Sequence, residues 1–155
     1  MIKDLTQFRE SEWKRRTASV TLPALSGLYD DPVVTVQNLT GSEVYDAESR
    51  VLRNSSVADL ITKIASQVKS QKVDGILESL GFSDNLADAM VKAIAYVEFG
   101  TVDPHFEQAD AVKLADVSIS SFMVLFRKID ELTGAGAVMV GELTASGPTT
   151  ESGTP

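Results

Sequence analysis

The spacing of apolar residues changes along this chain of 155 residues. Val33 to Val36 supply β-branched residues typical of a strand, and the run from Ser19 to Pro23 predicts another strand that the proline ends. Two short strands are only marginally stable alone, so we expect a hairpin that packs against helices. From residue 40 onward the apolar residues recur at helical intervals, which predicts a helical body.

Six segments after residue 40 combine helical periodicity with residues typical of helix ends. In the fifth, Asp103 and Pro104 are typical of an N-cap followed by a proline at the first helical position, so we expect the helix to begin there. The segments lie at about residues 41–53, 57–68, 73–80, 83–100, 104–114 and 120–133. In the sixth, the predicted buried face consists of Phe122, Leu125, Phe126, Ile129 and Leu132.

A helix-start signal joins the second strand to the first of these helices. Thr40 and Glu43 have the spacing of a capping box, in which the Thr40 hydroxyl accepts the Glu43 amide and the Glu43 carboxylate accepts the Thr40 amide. The overlapping Asn38 to Thr40 triplet also matches a glycosylation acceptor, which requires secretion. The N-terminus has charges throughout and does not resemble a signal peptide. We therefore interpret this segment as architectural.

These patterns predict an α+β fold, mostly α, with a short N-terminal β-hairpin packed on a bundle of about five to six helices. Residues 1–19 are polar apart from isolated apolar positions and are interpreted as an N-terminal arm. Residues 20–134 are the hairpin plus the helical domain. After residue 134 the composition shifts to Gly, Ser, Thr and Pro, which predicts a flexible, disordered C-terminal tail over residues 135–155.

Composition excludes several classes of function. The net charge of −8 and the pI of about 4.6 argue against nucleic-acid binding, which requires a basic surface. The chain contains no cysteine, so it has no disulfide and no thiolate nucleophile. No run approaches the roughly 20 apolar residues that cross a bilayer. We expect a cytosolic protein that does not associate with a membrane.

Candidate catalytic residues are few. His105 is the single histidine, and Glu98, Asp103 and Glu107 are close to it in sequence. They are the candidates for general acid–base chemistry or for a divalent cation. One histidine without cysteine is a poor set for zinc, and the carboxylates lack the alternating spacing of a calcium loop. We therefore expect no enzymatic activity, no cofactor and no metal, and a small metal-dependent enzyme is the weakest alternative.

The order of several short motifs resembles the tail assembly chaperones of long-tailed, lambda-like bacteriophages with non-contractile tails. The similarity comprises the arm KDLTQFRESEWKRRT, the strand segments SVTLPAL and PVVTVQNL, the LTGSE that begins the helical body, and the later ADAVKLADV and IDELTGAG. It covers most of residues 3–134.

The resemblance implies a non-catalytic role in virion morphogenesis, in the cytoplasm of the host bacterium. Such chaperones coat the helical tape-measure protein while the tail tube polymerises, and then leave. In many of these phages a ribosomal frameshift near the end of the gene appends a domain that recruits tail-tube protein, and the codons decide whether this chain has such a longer form. The alternative is a structural accessory protein of the tail or connector that stays in the virion.

Leu5, Phe8 and Trp13 are the candidate partner-binding residues. They are the apolar anchors of the polar arm, and aromatic side chains on such a segment are common interface anchors. A protein that covers a long helix repeatedly binds as an array, so we also expect self-association. The alternative is that the arm folds back on its own domain.

Overall fold

A computed structural model describes residues 1–51 and 86–140 of the chain. The predicted second and third helices, and the predicted start of the fourth at Ser83, lie outside these residues. The described part contains five α-helices and five short strands, all paired antiparallel, which confirms the predicted α-rich α+β class. The helices are α1 (Thr6–Glu10), α2 (Gly41–Val51), α3 (Leu86–Gly100), α4 (Gln108–Val117) and α5 (Ile119–Ala135). The strands are β1 (Trp13–Lys14), β2 (Thr17–Thr21), β3 (Val33–Gln37), β4 (Thr101–Asp103) and β5 (Val138–Met139).

The β-branched run of β3 forms the central strand of a three-stranded sheet. β2 pairs with it on one side, with Val20 opposite Val34, which confirms the predicted hairpin. β4 pairs on the other side, with Thr101 opposite Val36. Val34 and Val36 are buried because alternate residues of a strand point to the same face. The third strand was not predicted.

The hairpin begins earlier than the sequence predicted. β2 starts at Thr17, so residues 17–19 belong to the sheet and not to the arm. After Thr21 the chain forms a loop whose ends meet, because the amide of Leu22 donates to the carbonyl of Pro32 at 2.8 Å. A short 3-10 helix, Pro23–Leu25, begins this loop.

Two helices and the hairpin pack around α5. This helix contacts β2 and β3 on one side and α3 and α4 on the other, while α2 packs on α3. The predicted buried face of α5 is confirmed. Its members are Phe122, Leu125, Phe126, Ile129 and Leu132. The hairpin therefore lies against the helices, as the marginal stability of isolated strands requires.

The predicted start of the fifth helix is wrong. α4 begins at Gln108, and Glu107 is its N-cap in a capping box with Asp110. Asp103 instead lies in β4 opposite Thr35. Pairing with β3 keeps the backbone extended as far as Asp103, so the helix can begin only after the chain has turned away from the sheet.

The predicted boundary of the C-terminal tail is also wrong. α5 continues through Gly134 and ends at Ala135. Gly136 then adopts a φ of 73°, which favours glycine, and its amide donates to two carbonyls of the last helical turn. Two residues later the chain forms β5, so structure continues beyond residue 135. Residues 141–155 lie outside the described part.

Candidate protein-interaction site

The N-terminal arm consists of α1 and β1. Asp4 precedes α1, and its carboxylate accepts hydrogen bonds from the hydroxyl of Thr6 at 2.8 Å and from its amide at 3.1 Å. The bond from the Thr6 hydroxyl is the larger cause and the bond from its amide the next, and together they lower the pKa of Asp4 because they stabilise its charged form. At the other end of α1, the hydroxyl of Ser11 donates to the carbonyl of Gln7. The arm thus has a short ordered helix rather than an extended conformation throughout.

β1 attaches the arm to the end of the helical body. Trp13 is opposite Met139, Lys14 is opposite Val138, and the amide of Val140 donates to the carbonyl of Glu12 at 3.1 Å. This partner was missed at the sequence level, because β5 has two residues and follows a Gly-rich stretch. The apolar run from Val138 to Val140 was the available signal.

The exposed apolar side chains of the arm lie together. The rings of Phe8 and Trp13 are 6.1 Å apart between centroids and are tilted by 56°. Phe8 is 63% exposed and Trp13 is 50% exposed, and Met139, opposite Trp13 in the ladder, is also exposed. We call Phe8, Trp13 and Met139 the arm patch. Leu5 is exposed three residues before Phe8, so the arm side chains named as partner-binding candidates are not covered by their own domain.

The base of the arm is held by Glu43 and Asn38. The Arg15 guanidinium contacts both carboxylate oxygens of Glu43, at 3.1 and 3.2 Å. The Asn38 side chain is buried and accepts the amide of Arg16 at 2.7 Å, while its own backbone amide donates to the Arg16 carbonyl at 3.0 Å. A glycan on Nδ2 of this buried side chain would displace its contacts, which agrees with the architectural interpretation.

Both hydrogen bonds of the predicted capping box are present at the start of α2. The amide of Glu43 donates to the Thr40 hydroxyl at 3.2 Å, and the amide of Thr40 donates to Glu43 Oε2 at 2.8 Å. The same carboxylate binds Arg15, so Glu43 joins the helix start to the base of the arm. Sequence reasoning identified the cap but not this second contact.

Thr40→Ala is expected to lower the free energy of unfolding by about 1 kcal/mol, because one amide at the helix start loses its side-chain partner. Urea unfolding followed by circular dichroism measures this effect. Ser42→Ala is the matched control, since Ser42 is exposed in the same helical turn and should change stability by only a few tenths of a kcal/mol. Equal effects of the two substitutions would contradict the capping role.

The four candidate catalytic residues make separate local contacts, and Asp103 lies in β4. Glu98 pairs with Arg50 at 2.5 Å. Nδ1 of His105 lies 2.9 Å from the carbonyl oxygen of Thr101, and Glu107 caps α4. Among residues 1–51 and 86–140, no group of three or more metal-binding side chains lies together.

A groove of about 390 Å³ opens beside the base of the arm. Its polar side chains are engaged with one another or with backbone: Arg15 with Glu43, His105 with a carbonyl, and Gln37 with the carbonyl of Phe99 at 3.4 Å. Within the described residues, every buried side-chain nitrogen or oxygen has a hydrogen-bond partner. In this part of the chain, the groove therefore contains no buried side-chain nitrogen or oxygen that lacks a hydrogen-bond partner. Its lining residues are Arg15, Gln37, Glu43, Phe99, Thr101, Val102 and His105.

Neither protein-family models, curated proteins nor solved structures gave a match to this chain. In the part of the chain that the structure describes, no helix has the length and apolar character needed to span a membrane. The arm patch is a cluster of exposed apolar side chains in this part of the chain.

Proposed function

We propose that this chain is a non-catalytic assembly chaperone of a long-tailed bacteriophage with a non-contractile tail, acting in the host cytoplasm. Its main partner is the tape-measure protein, which it keeps soluble while the tail tube polymerises. A longer, frameshifted form would add contacts with the tail-tube protein. The proposal combines the motif resemblance with the physical character of the arm.

The arm patch is the observation that carries the proposal. Two aromatic rings in contact with each other remain at least half exposed, on a segment held to the body by a two-residue ladder. Aromatic side chains bury much apolar area with little loss of conformational freedom, which makes them effective interface anchors. An apolar surface of this kind suits an amphipathic helical partner, whose stripe of apolar residues needs cover in water.

The charge of the chain supports the same role. A net charge of −8 opposes nonspecific aggregation of the chain and favours its solubility. Subunits bound along a tape-measure helix would transfer this charge to the complex. The apolar stripe is then covered, and the coated partner repels other coated partners.

Replacing Phe8 and Trp13 together by serine is expected to reduce the soluble yield of a co-expressed tape-measure segment by about tenfold, because the anchor side chains are lost. The fold should persist, since both side chains are exposed. Tyr45→Ser is the matched control, as Tyr45 is an exposed aromatic residue on α2 away from the arm. Soluble and insoluble fractions are quantified after lysis.

A soluble yield of the tape-measure segment that is unchanged by the arm substitutions would contradict the proposed role of the arm. Mass spectrometry of purified virions tests the chaperone role separately. A chaperone leaves before maturation, so the polypeptide should be missing from mature particles. A stoichiometric amount there would instead identify a structural component of the tail.

A further inference from the structure

The arm differs in charge from the rest of the chain. Residues 1–16 contain five Lys or Arg against three Asp or Glu, whereas the whole chain contains 14 against 22. Residues 1–16 therefore carry a formal net charge of +2, with residues 1–14 balanced and Arg15 paired with Glu43, whereas the remainder is strongly acidic. None of the ion pairs between described residues involves Lys3, Arg9, Lys14 or Arg16. Phe8 and Trp13 of the arm patch are each followed directly by one of these basic residues, Arg9 and Lys14.

A second exposed apolar surface lies on the loop that connects β2 to β3. Leu28 is 78% exposed and Tyr29 is 61% exposed, and Asp30 and Asp31 follow them directly. Within the described part of the chain, neither aspartate takes part in an ion pair. We call residues 27–31 the acidic loop. Its apolar and acidic side chains complement the apolar and basic side chains of the arm.

The acidic loop is ordered by its own backbone. The amides of Leu28 and Tyr29 both donate to the carbonyl of Leu25, at 2.9 and 3.0 Å, and the amide of Val33 donates to the carbonyl of Asp31 at 2.9 Å. The exposed side chains therefore extend from a defined backbone, which reduces the ordering entropy that binding must overcome.

The arm and the acidic loop lie at opposite ends of the hairpin. The arm joins β2 at its first residue, Thr17, whereas the loop follows the last residue, Thr21. The five extended residues of β2 place the two points of attachment roughly 17 Å apart. Because the two segments leave β2 from opposite ends, we infer that contact between them is made with a second molecule.

We propose that the arm patch of one copy docks onto the acidic loop of the next copy. The contact joins two different surfaces, so it is heterologous and leaves a free arm at one end and a free loop at the other. Repetition of this contact produces a ring or an open chain of subunits. It uses the same arm patch as the proposed function, so a given arm binds either a neighbouring copy or the tape-measure protein, and the contact itself requires no tape-measure protein.

Charge complementarity favours a second copy as the occupant. Arg9 and Lys14 directly follow Phe8 and Trp13 in the arm, and the surface proposed for it carries two adjacent carboxylates directly after Leu28 and Tyr29. Phe8 and Trp13 would pack on these two apolar side chains while Arg9 and Lys14 approach the aspartates. Opposite charges around an apolar centre steer association and determine the orientation of the partners.

Sedimentation of the purified full-length chain tests the proposal, with no other protein present. At concentrations up to about 1 mM we expect mass to increase with concentration beyond a dimer, and to decrease as salt is raised from about 50 to about 500 mM. Trp13→Ala should raise the dissociation constant about tenfold or more. A monomer at all concentrations, or a closed dimer that grows no further, would overturn the proposal.

Charge exchange identifies the two surfaces. Arg9→Glu with Lys14→Glu in one chain should abolish association, and so should Asp30→Lys with Asp31→Lys. The chain that carries all four substitutions should associate again, because the charges are complementary once more. Retained association of either double variant, or a four-fold variant that stays monomeric with a native circular dichroism spectrum, contradicts the assignment.

The absence of cysteine from the chain permits a direct contact test. Glu12→Cys and Gly27→Cys, prepared separately and mixed under mild oxidation, should form a disulfide-linked heterodimer. Gly27 tolerates the change because a Cβ there meets nothing within 4 Å. Val117→Cys replaces Gly27→Cys in the control, since Val117 is exposed at the end of α4. Equal cross-linking in the control would show random collision rather than docking.

The two proposals fail independently. Association that depends on the arm and the loop, together with no effect on a tape-measure segment, would refute the proposed function and leave the docking contact standing. A monomeric chain that still solubilises the segment would refute the docking contact alone.

Discussion

Gly100→Ala is expected to lower the free energy of unfolding by about 1 to 3 kcal/mol, as overpacking of a dense core does. Gly100 ends α3 where that helix crosses α5, and it is buried. A Cβ at this position would lie 2.6 to 2.8 Å from three side-chain carbons of Ile129. Ile129 is itself fully buried, so it has little space into which to move. Thermal and urea unfolding measure the loss.

Ile129→Ala distinguishes this clash from a backbone effect. Alone, it removes the three carbons and should cost about 2 to 5 kcal/mol through the cavity that it leaves. In the double variant the new methyl group occupies part of that cavity. We therefore expect the double variant to lose at least about 1 kcal/mol less than the sum of the single losses. Strict additivity would contradict the proposed contact.

Gly134→Ala is the matched control for the glycine change. Gly134 lies in the last turn of α5, and a Cβ there meets nothing within 4 Å. Replacing glycine by alanine in a helix without a clash reduces the freedom of the unfolded chain, so this variant should be slightly stabilised, by less than about 1 kcal/mol. Opposite signs for Gly100→Ala and Gly134→Ala are the expected result.

Thr101→Val is expected to cost about 1 to 3 kcal/mol of stability, although the two side chains have nearly the same shape. The buried Thr101 hydroxyl donates to the carbonyl of Val97 at 2.9 Å and accepts the amide of Phe106 at 2.9 Å. It thereby joins the end of α3 to the segment after β4. Valine leaves the Phe106 amide without this partner in a partly buried position, and an unmade hydrogen bond there carries a desolvation cost.

Thr101→Ser separates the hydroxyl from the methyl group. Serine retains the hydrogen-bonding oxygen and loses one buried methyl, so it should be less destabilising than valine. Thr21→Val is the control, because Thr21 is exposed in β2 and valine suits a strand position. The three variants are compared by urea unfolding with a common denaturant slope. If serine proves as harmful as valine, packing rather than hydrogen bonding sets the stability at Thr101.

The sequence was most informative where the interacting residues are close together along the chain. The buried face of α5 follows from apolar residues three and four apart, and five of them, from Phe122 to Leu132, are buried. The hydrogen bonds between Thr40 and Glu43 likewise join residues three positions apart. Such signals need only the geometry of one helical turn, so they are readable before the fold is known.

The sequence was misleading where a distant strand decides the local conformation. Asp103 and Pro104 have the composition of a helix start, yet β3 holds Thr101–Asp103 as a strand and the helix begins at Gln108. In the same way, the Gly-rich segment after α5 has the composition of a flexible tail, yet Trp13 and Lys14 pair with Val138 and Met139. Composition describes a segment alone and contains no information about its partner.

The candidate site was likewise predictable from the sequence only in part. Leu5, Phe8 and Trp13 stand out in the sequence as apolar residues in a polar arm, and all three are exposed. Met139 joins them only through the β1–β5 ladder, and the separation of the acidic loop from the arm appears only once β2 is placed. The chemistry of each segment was visible in the sequence, but its position relative to the others was not.

By itself, the sequence determined an α-rich fold with a hairpin, the buried face of α5, the helix start at Thr40 and a polar arm with isolated apolar residues. The tertiary structure alone decided the third strand, the ladder that holds the arm, and the link from Glu43 to Arg15. Another contact that only the tertiary structure shows is the hydrogen bond from the Leu39 amide to the Thr133 hydroxyl at 3.0 Å, across 94 positions of the chain. Local patterns reflect the geometry of a single helix or strand, whereas these contacts arise only when remote segments pack together.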